Sequence, residues 1–373
     1  MNLNNQYVFD VQINWNEKVD LDLQCVVIDK YGIVCDAVYF KNLKSLNGSV
    51  THSGDSPGTE KITARLSKIP DDIKMLLFFC FLFSPGCNFE KIPSAKISLI
   101  VNRCEVAVFP VQVATSGLLF AKLIRRDSQF SLVGIHAPVN AKNFIDCDAC
   151  IRAEIQEELP GSIAKKPLYN FDMCKGGTLC LGEQSTFMRI GLRWDAGVVA
   201  GHAGVVDVDS SCILFDENAN VVETVFFGNL TGQLGAVSHS GDNLTGEGEG
   251  DDETISIDLE KISLKISQIF IVVNIYTKNQ TFRNVKNSQC RVFLGSDQVA
   301  FFKIKNIAES ANALVVCRVQ RGRSGWEVHA LGEPANGNMW RYTLPALKTL
   351  FYMETSSLKI PEISRETGCC LVM

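Results

Sequence analysis

Apolar and polar residues alternate with a period of two along much of the chain, the pattern of strands buried on one face. Residues 7–15 alternate in this way, and residues 23–29 and 210–216 are short β-rich runs ending in turn residues (Lys30, Tyr31, Gly32; Glu217, Asn218, Ala219, Asn220). Residues 75–83 and 268–276 are unbroken apolar runs flanked by Asp, Pro, Lys and Asn, as central strands buried on both faces should be. Residues 292–294, 299–304, 313–320 and 326–331 continue the series. Short strands with a turn every roughly 8–12 residues predict an all-β fold built from antiparallel β-sandwiches. A helical pattern is read at 141–159, broken by Pro160-Gly161, and again at 344–354.

The strand pattern occurs twice. At an offset of 187 residues, Asp20, Asp22, Cys25 and Asp29 align with Asp207, Asp209, Cys212 and Asp216. The same offset aligns Phe40, Asn42 and Gly48 with Phe227, Asn229 and Gly235, and His52-Ser-Gly-Asp55 with His239-Ser-Gly-Asp242. Beyond that tetrapeptide the offset is 193, pairing Glu60 with Glu253 and Phe89 with Phe282; later it is 196, pairing Phe130 with Trp326 and Pro138 with Pro334. A repeat of this length is one structural unit present twice. The expected organisation is a sandwich over 1–140, a helical and flexible linker over 141–172, a second sandwich over 173–335 and a tail over 336–373.

Composition narrows the function. The 373 residues are 46% hydrophobic and 21% charged, ordinary globular values with enough apolar residues for two cores. A net charge of −5 and no Lys/Arg-rich patch argue against a nucleic-acid partner. The first residues lack the basic and apolar regions of a signal peptide, and no Gly follows Met1 for myristoylation. The apolar run 73–83 is too short to span a bilayer. The 14 cysteines are therefore expected as cytosolic thiols. Cys25, Cys80, Cys104, Cys212, Cys290 and Cys317 sit singly in apolar strands, as small buried hydrophobes do. Cys147 and Cys150, with Cys174 and Cys180 downstream, lack the second CxxC or His pair that a zinc site needs.

The six-residue difference between the offsets falls in one loop. The second copy reads HSGDNLTGEGEGDDE over 239–253, with Asp242, Glu247, Glu249, Asp251, Asp252 and Glu253 and no Lys or Arg; the first reads only HSGDSPGTE. A Gly-rich loop without Lys is no phosphate cradle. Clustered carboxylates on a backbone with four glycines suit a hard divalent cation that takes six to eight oxygens at about 2.3–2.6 Å. The Asp207/Asp209 pair, on a different strand, supplies further carboxylates that a merely solvated loop would not require. Crowded acids such as Asp251 and Asp252 repel one another when ionised, so a cation should both bind there and order the loop. His52 and His239 are read as fixing the turn before the loop, because no Ser or Cys nucleophile motif accompanies either.

Lys175-Gly-Gly-Thr-Leu-Cys-Leu181, Gly191-Leu-Arg-Trp-Asp195, Asp207-Val-Asp209, Phe226-Phe-Gly-Asn-Leu230, the acidic loop and Ile255-Ser-Ile-Asp-Leu-Glu-Lys261 together resemble the TerD domain of tellurium-resistance and general-stress proteins. The resemblance covers essentially the whole second copy, and the first looks like a divergent TerD domain with a truncated loop. It implies a two-sheet β-sandwich and Ca²⁺ held by Asp207, Asp209, Asp242, the Gly246 carbonyl, Glu247, Asp251, Asp252 and Glu253. Glu249 departs from the Asp frequent in the family. Asp20, Asp22 and Asp55 are what remains of this set in the first copy, which is expected to bind weakly or not at all. Sensing or scaffolding in stress responses is implied rather than catalysis. Alternatives are a Ca²⁺-dependent phospholipid- or protein-docking module and a cyclic-nucleotide (cAMP) binder, the latter lacking an Arg in a Gly-rich phosphate cradle.

The chain ends Cys370-Leu371-Val372-Met373, a C-a-a-X pattern whose Met favours farnesylation of Cys370. One lipid anchors only marginally, so palmitoylation of Cys369 is the expected second signal. The combined expectation is a non-catalytic Ca²⁺ protein held by lipid at the cytosolic face of a eukaryotic membrane.

Overall fold

The computed structural model describes residues 1–84, 86–162, 168–173, 175–182, 185–195, 206–304, 309–322 and 325–353. Each half is a pair of six-stranded or larger antiparallel sheets. In the first half one sheet runs, in hydrogen-bonded order, Asn2–Leu3, Gln129–Val139, Gly117–Arg126, Ile73–Leu82, Leu21–Asp29 and Val34–Val38. The facing sheet runs Cys104–Pro110, Lys96–Val101, Val8–Asn14, Thr59–Arg65, Val50–His52 and Lys44–Ser45. The second half repeats both orders. Its first sheet is Thr178–Cys180, Gly325–Ala335, Ala313–Gly322, Gln268–Ile275, Val208–Phe215 and Val221–Phe226. Its second is Asp297–Lys303, Lys286–Leu294, Phe187–Asp195, Glu253–Asp258, Val237–His239 and Thr231–Gly232, with Phe171–Asp172 added in parallel to Asp297–Lys303. Two tandem all-β sandwiches are therefore what the periodicity foretold.

The unbroken apolar strands explain the helices. In Ile73–Leu82, Leu76, Phe78, Cys80 and Leu82 face the core between the sheets, while Met75, Leu77, Phe79 and Phe81 belong to a second apolar cluster on the outer face. That outer face needs a cover. Phe144, Ile151 and Ile155 of the segment carrying helix α1 (Asp148–Glu158) join the outer cluster. The α1 helix is further pinned by Lys122, which is 2% exposed and lies 2.8, 2.9 and 3.1 Å from Glu154, Glu157 and Glu158. Burial alone would depress the Lys122 ammonium, but the three carboxylates hold it above its ordinary value. Helix α2 (Trp340–Met353) does the same for the second half, with Leu347 and Phe351 packed on Phe270 and Val272. Phe144 against Tyr39 and Trp340 against Phe226 are equivalent ring contacts, at 5.8 and 6.0 Å. The helices read from sequence as linker and tail thus form a third layer of each unit. The α2 helix begins at Trp340 rather than 344, and that indole packs on Phe226.

The halves share backbone pairing. Val34 N–H donates to Leu168 C=O at 2.7 Å and Asn170 N–H to Val34 C=O at 2.9 Å, and the next residues pair with Ala300 and Phe301. One segment therefore joins an edge strand of each half. The buried Tyr39 hydroxyl donates to the Thr178 carbonyl and accepts from Cys180 N–H, and Lys41 Nζ lies 3.8 Å from Glu327. Phe79 and Phe81 lie in the same apolar cluster as Phe171 and Leu179. Cys104 departs from expectation: it is exposed, because Cys104–Pro110 is an edge strand exposed along nearly its whole length. No helix among the described residues is long and apolar enough to cross a membrane.

Tyr39→Phe removes a buried hydroxyl and leaves the Thr178 carbonyl without its donor. The expected cost is about 1–3 kcal/mol. It should appear as a lower thermal midpoint of the full chain, by roughly 1 °C per kcal/mol for a protein of this size melting as one unit.

Candidate metal centre

The acidic loop is anchored by a device present in both halves. Glu253 is wholly buried at the start of Glu253–Asp258, and its Oε2 accepts from Ser210 N–H at 2.7 Å and Ser210 O–H at 2.8 Å. Ser210 lies on the opposite sheet, so this carboxylate ties the two layers together. His239 Nε2 lies 3.3 Å from the same oxygen, and His239 Nδ1 accepts from Gly241 N–H at 3.1 Å. An Nδ1 that accepts carries no hydrogen, so Nε2–H donates to the Ser210 hydroxyl oxygen at 3.0 Å, beside the glutamate. The first half repeats the arrangement: Leu23 N–H donates to Glu60 Oε2 at 2.7 Å, His52 Nε2 is 3.3 Å from that oxygen, and Gly54 N–H donates to His52 Nδ1 at 2.9 Å. The histidines hold the turn.

Against this frame Asp207, Asp209 and Asp242 converge, one carboxylate oxygen of each lying within 4.8 Å of the others. Asp207 enters the Val208–Phe215 strand and is positioned by its N–H, which donates to the Thr277 hydroxyl at 2.9 Å. Asp209 pairs across the sheet with Asn274 and is 3% exposed. Neither Asp209 oxygen has a hydrogen-bond partner among the described residues, and Asp207 Oδ1 is likewise buried without one. Native folds satisfy buried carboxylates, so such an arrangement invites a cation. Burial, reinforced by Asp207, Glu253 and Asp242, pushes Asp209 up to about 8. Burial and the Asp242 and Glu253 charges push Asp207 up to about 6, and burial also raises the exposed-side partner Asp242.

The other five residues of the expected set have different surroundings. Asp251 turns away from the three: Arg291 Nη2 lies 2.6 Å and Arg189 Nη1 3.3 Å from its oxygens, and its carboxylate covers Gly191, where a Cβ would meet it at 2.1 Å. Asp252 accepts from Trp194 N–H at 2.9 Å, and burial raises its carboxyl. Gly246 is buried over Trp194 with φ +65°; a Cβ would lie 2.4 Å from the indole nitrogen. Asn243 Oδ1 accepts from Thr245 and Gly246 N–H, both at 3.0 Å, so the loop is a built turn. Glu247 is exposed, as is Glu249. Glu253 sits beside the cluster, but Ser210 and His239 engage its Oε2. That role was detectable in the repeat: Glu60 and His52 persist where the extra acids do not.

In the first half Asp22 is fully buried, Asp20 half-buried and Asp55 exposed. Burial, with Glu60 and Asp55 adding to it, drives the Asp22 carboxyl well up. These three do not form a cluster of the kind above among the described residues. Cys147 is buried and its thiol donates to Asn143 C=O at 3.5 Å; Cys174, Cys369 and Cys370 lie outside the described residues. A cleft of about 980 Å³ opens elsewhere, between the halves, beside Tyr39, Lys41, Lys44, Lys175 and Thr178.

The TerD domain family profile matches residues 4–142 and again 170–342. The tellurium resistance protein TerZ of Serratia marcescens is 32% identical over 176 residues, covering 44% of this chain and 90% of that protein. Stress response protein SCP2 of Bacillus subtilis (strain 168) is 32% identical over 166 residues, 40% of this chain and 83% of its own. The crystal structure of a homologue of telluride resistance protein (TerD) from Streptomyces coelicolor A3(2) matches 41% of this chain and 92% of its own, at 21% identity with a TM-score of 0.37.

Two outcomes follow from the site. Glu253→Ala leaves Ser210 N–H buried and unpaired, so it should cost about 2–4 kcal/mol in thermal or urea melts with or without calcium. Asp209 has a folded value of about 8 against an ordinary 3.8, so the cation-free fold holds a proton that the unfolded chain has lost between those pH values. Cation-free stability therefore falls as pH rises through that window. Melting in EDTA should show this fall, and Asp209→Asn should make it shallower, the raised Asp22 and Asp207 carboxyls leaving the remainder.

Proposed function

The chain belongs to the TerD domain family over both of its halves, and on that premise we propose that it is a non-catalytic Ca²⁺-binding protein of stress response or signalling, lipid-anchored through Cys370. The observation that carries the cation site is Asp209, a 3%-exposed carboxylate aligned with Asp207 and Asp242 and lacking any hydrogen-bond partner among the described residues. With one ligand oxygen from each, three carboxylates fall short of the six to eight that Ca²⁺ takes; the Gly246 carbonyl, Glu247, Asp252 and water are the sources for the rest, while Asp251 stays with its arginines. A cation there offsets the mutual repulsion of the three and displaces the Asp209 proton.

The stress role is supported by relatives named for tellurium resistance and stress response. The anchor is supported by the terminal Cys-Leu-Val-Met alone. The first half supports a non-binding role: it keeps the glutamate tie, lacks the long loop and shares apolar packing with the second half.

A calcium isotherm and melting curves on the full, unlipidated chain test the site. Saturation at about 100 times Kd should stabilise the protein by about 2.7 kcal/mol. Asp209→Asn should abolish the effect and Asp22→Asn should leave it intact. No calcium-dependent shift in the unaltered chain would sink the proposal. In eukaryotic cells Cys370→Ser should move the protein from the membrane to the soluble fraction.

A further inference from the structure

We infer that the bare edge strand of the first half, Cys104–Pro110, takes up an extended segment of a partner protein by parallel strand addition, an apolar side chain of that segment packing against Ala107 and Phe109. The inference does not depend on the cation site. It rests on what the second half does with the same strand. At the 193-residue offset, Cys-Glu-Val-Ala-Val-Phe-Pro over 104–110 corresponds to Asp-Gln-Val-Ala-Phe-Phe-Lys over 297–303. The registers on the neighbouring strand agree: Ala107 pairs with Leu99 as Ala300 does with Val292, and Val108 with Ser98 as Phe301 does with Arg291. Both strands carry the same bulge, at Val106 and at Val299.

In the second half this strand is covered. Phe171 and Asp172 pair in parallel with Ala300 and Phe301, and Met173 N–H donates to Phe301 C=O at 2.9 Å. Phe171 shares an apolar cluster with Val299, Ala300 and Phe302, and all four are buried. In the first half no strand lies beyond Cys104–Pro110 among the described residues. Val106 is 39% exposed against 2% for Val299; Ala107 is exposed and Phe109 only half-buried. Bulges and prolines commonly guard an open edge. Here the covered strand has the bulge too, so it does not block addition, and Pro110 lies past the Ala107–Val108 stretch. The N–H and C=O of one strand residue point to the same side, so Val108, in the position of Phe301, presents both outward.

The covering segment also defines the chemistry of the partner. The Asn170 side-chain oxygen accepts from Gln298 at 3.0 Å, and Asp172 pairs with Lys303 at 2.9 Å. In the first half exposed Glu105 replaces Gln298, and Pro110 replaces Lys303. Backbone pairing gives such an edge its affinity and the flanking side chains its selectivity. The edge therefore selects Lys or Arg immediately before the apolar residue and no acid immediately after it. A second copy does not supply this geometry. Two identical edges related by a two-fold axis run antiparallel, whereas the addition seen at Phe301 is parallel. The chain's own Asn170–Asp172 segment is already engaged and carries an acid that Pro110 cannot pair.

The probe is a blocked peptide, Leu-Tyr-Lys-Phe-Ser-Met, patterned on residues 168–173 with Lys at the Asn170 position, Ser at the Asp172 position and a photoreactive benzophenone on its Phe. Irradiated with the full chain and mapped by mass spectrometry, it should label residues 104–110. Val108→Pro removes the outward N–H and spares the pairing with the neighbouring strand, so it should cut labelling roughly tenfold while the thermal midpoint is kept. A peptide with Glu in place of its Lys should label roughly twofold to fivefold less, and Glu105→Lys, a surface change, should reverse that preference. If Val108→Pro unfolds the chain, Glu105→Lys decides alone. No labelling, labelling of another strand, or labelling indifferent to either change in a folded chain overturns strand addition. So does a dimer of the full chain in sedimentation that Val108→Pro converts to monomer, because a second copy then holds the edge.

Discussion

A buried glutamate crossing from one sheet to the other is the constraint on which each half depends. Glu60 and Glu253 sit at the starts of equivalent strands and accept a backbone N–H, at 2.7 Å, from the facing sheet. Each also faces a histidine whose other nitrogen accepts from the loop backbone. A buried carboxylate is costly unless its oxygens are engaged, and these partners make the cost acceptable only in one register of the two sheets. The tie fixes where the intervening loop starts and ends, whatever its length. Six residues can therefore be absent from the first loop without disturbing the sandwich.

That separation of support from chemistry explains the asymmetry between the halves. Asp207 and Asp209 enter the site from a strand held by the tie, and Asp242 from the residues just after the histidine. The strand and the histidine-held turn bring the three carboxylates together through the fold itself. The rest of the loop is shaped by other demands. Asp251 neutralises Arg189 and Arg291, the former stacked 3.9 Å from the Phe293 ring, and Gly191 is bare because that carboxylate lies on it. An aspartate with two arginines at ion-pair distance has little reason to leave for a cation.

The first half turns the same surfaces inward. Its outer sheet face lies under α1, its Phe83 is buried, and its Tyr39 hydroxyl is bonded to the second half. An end that is exposed in the second copy, at Tyr276, is a packing surface in the first, at Phe83. The paired segment at 168–173 adds hydrogen bonds to an edge strand of each half, so the halves are joined by backbone as well as by apolar contact.

Much of this was legible in the chain itself. Period-two alternation located strands, because a strand's faces follow directly from its pleat. The repeat defined the unit, and the unequal loops marked which copy carried surplus acids. Residues common to both copies, Glu60 with Glu253 and His52 with His239, carried a signal of support, but Glu253 read as a ligand candidate until the structure showed it bonded to Ser210. Tertiary structure alone decided which acids meet. A loop side chain has no periodicity, and its direction depends on partners distant in sequence: Arg291 draws Asp251 away across 40 positions, while Asp207 and Asp242 converge from 35 apart. The outer helical layer was hidden for a related reason. An unbroken apolar strand declares that both faces are covered, but only the folded chain says by what.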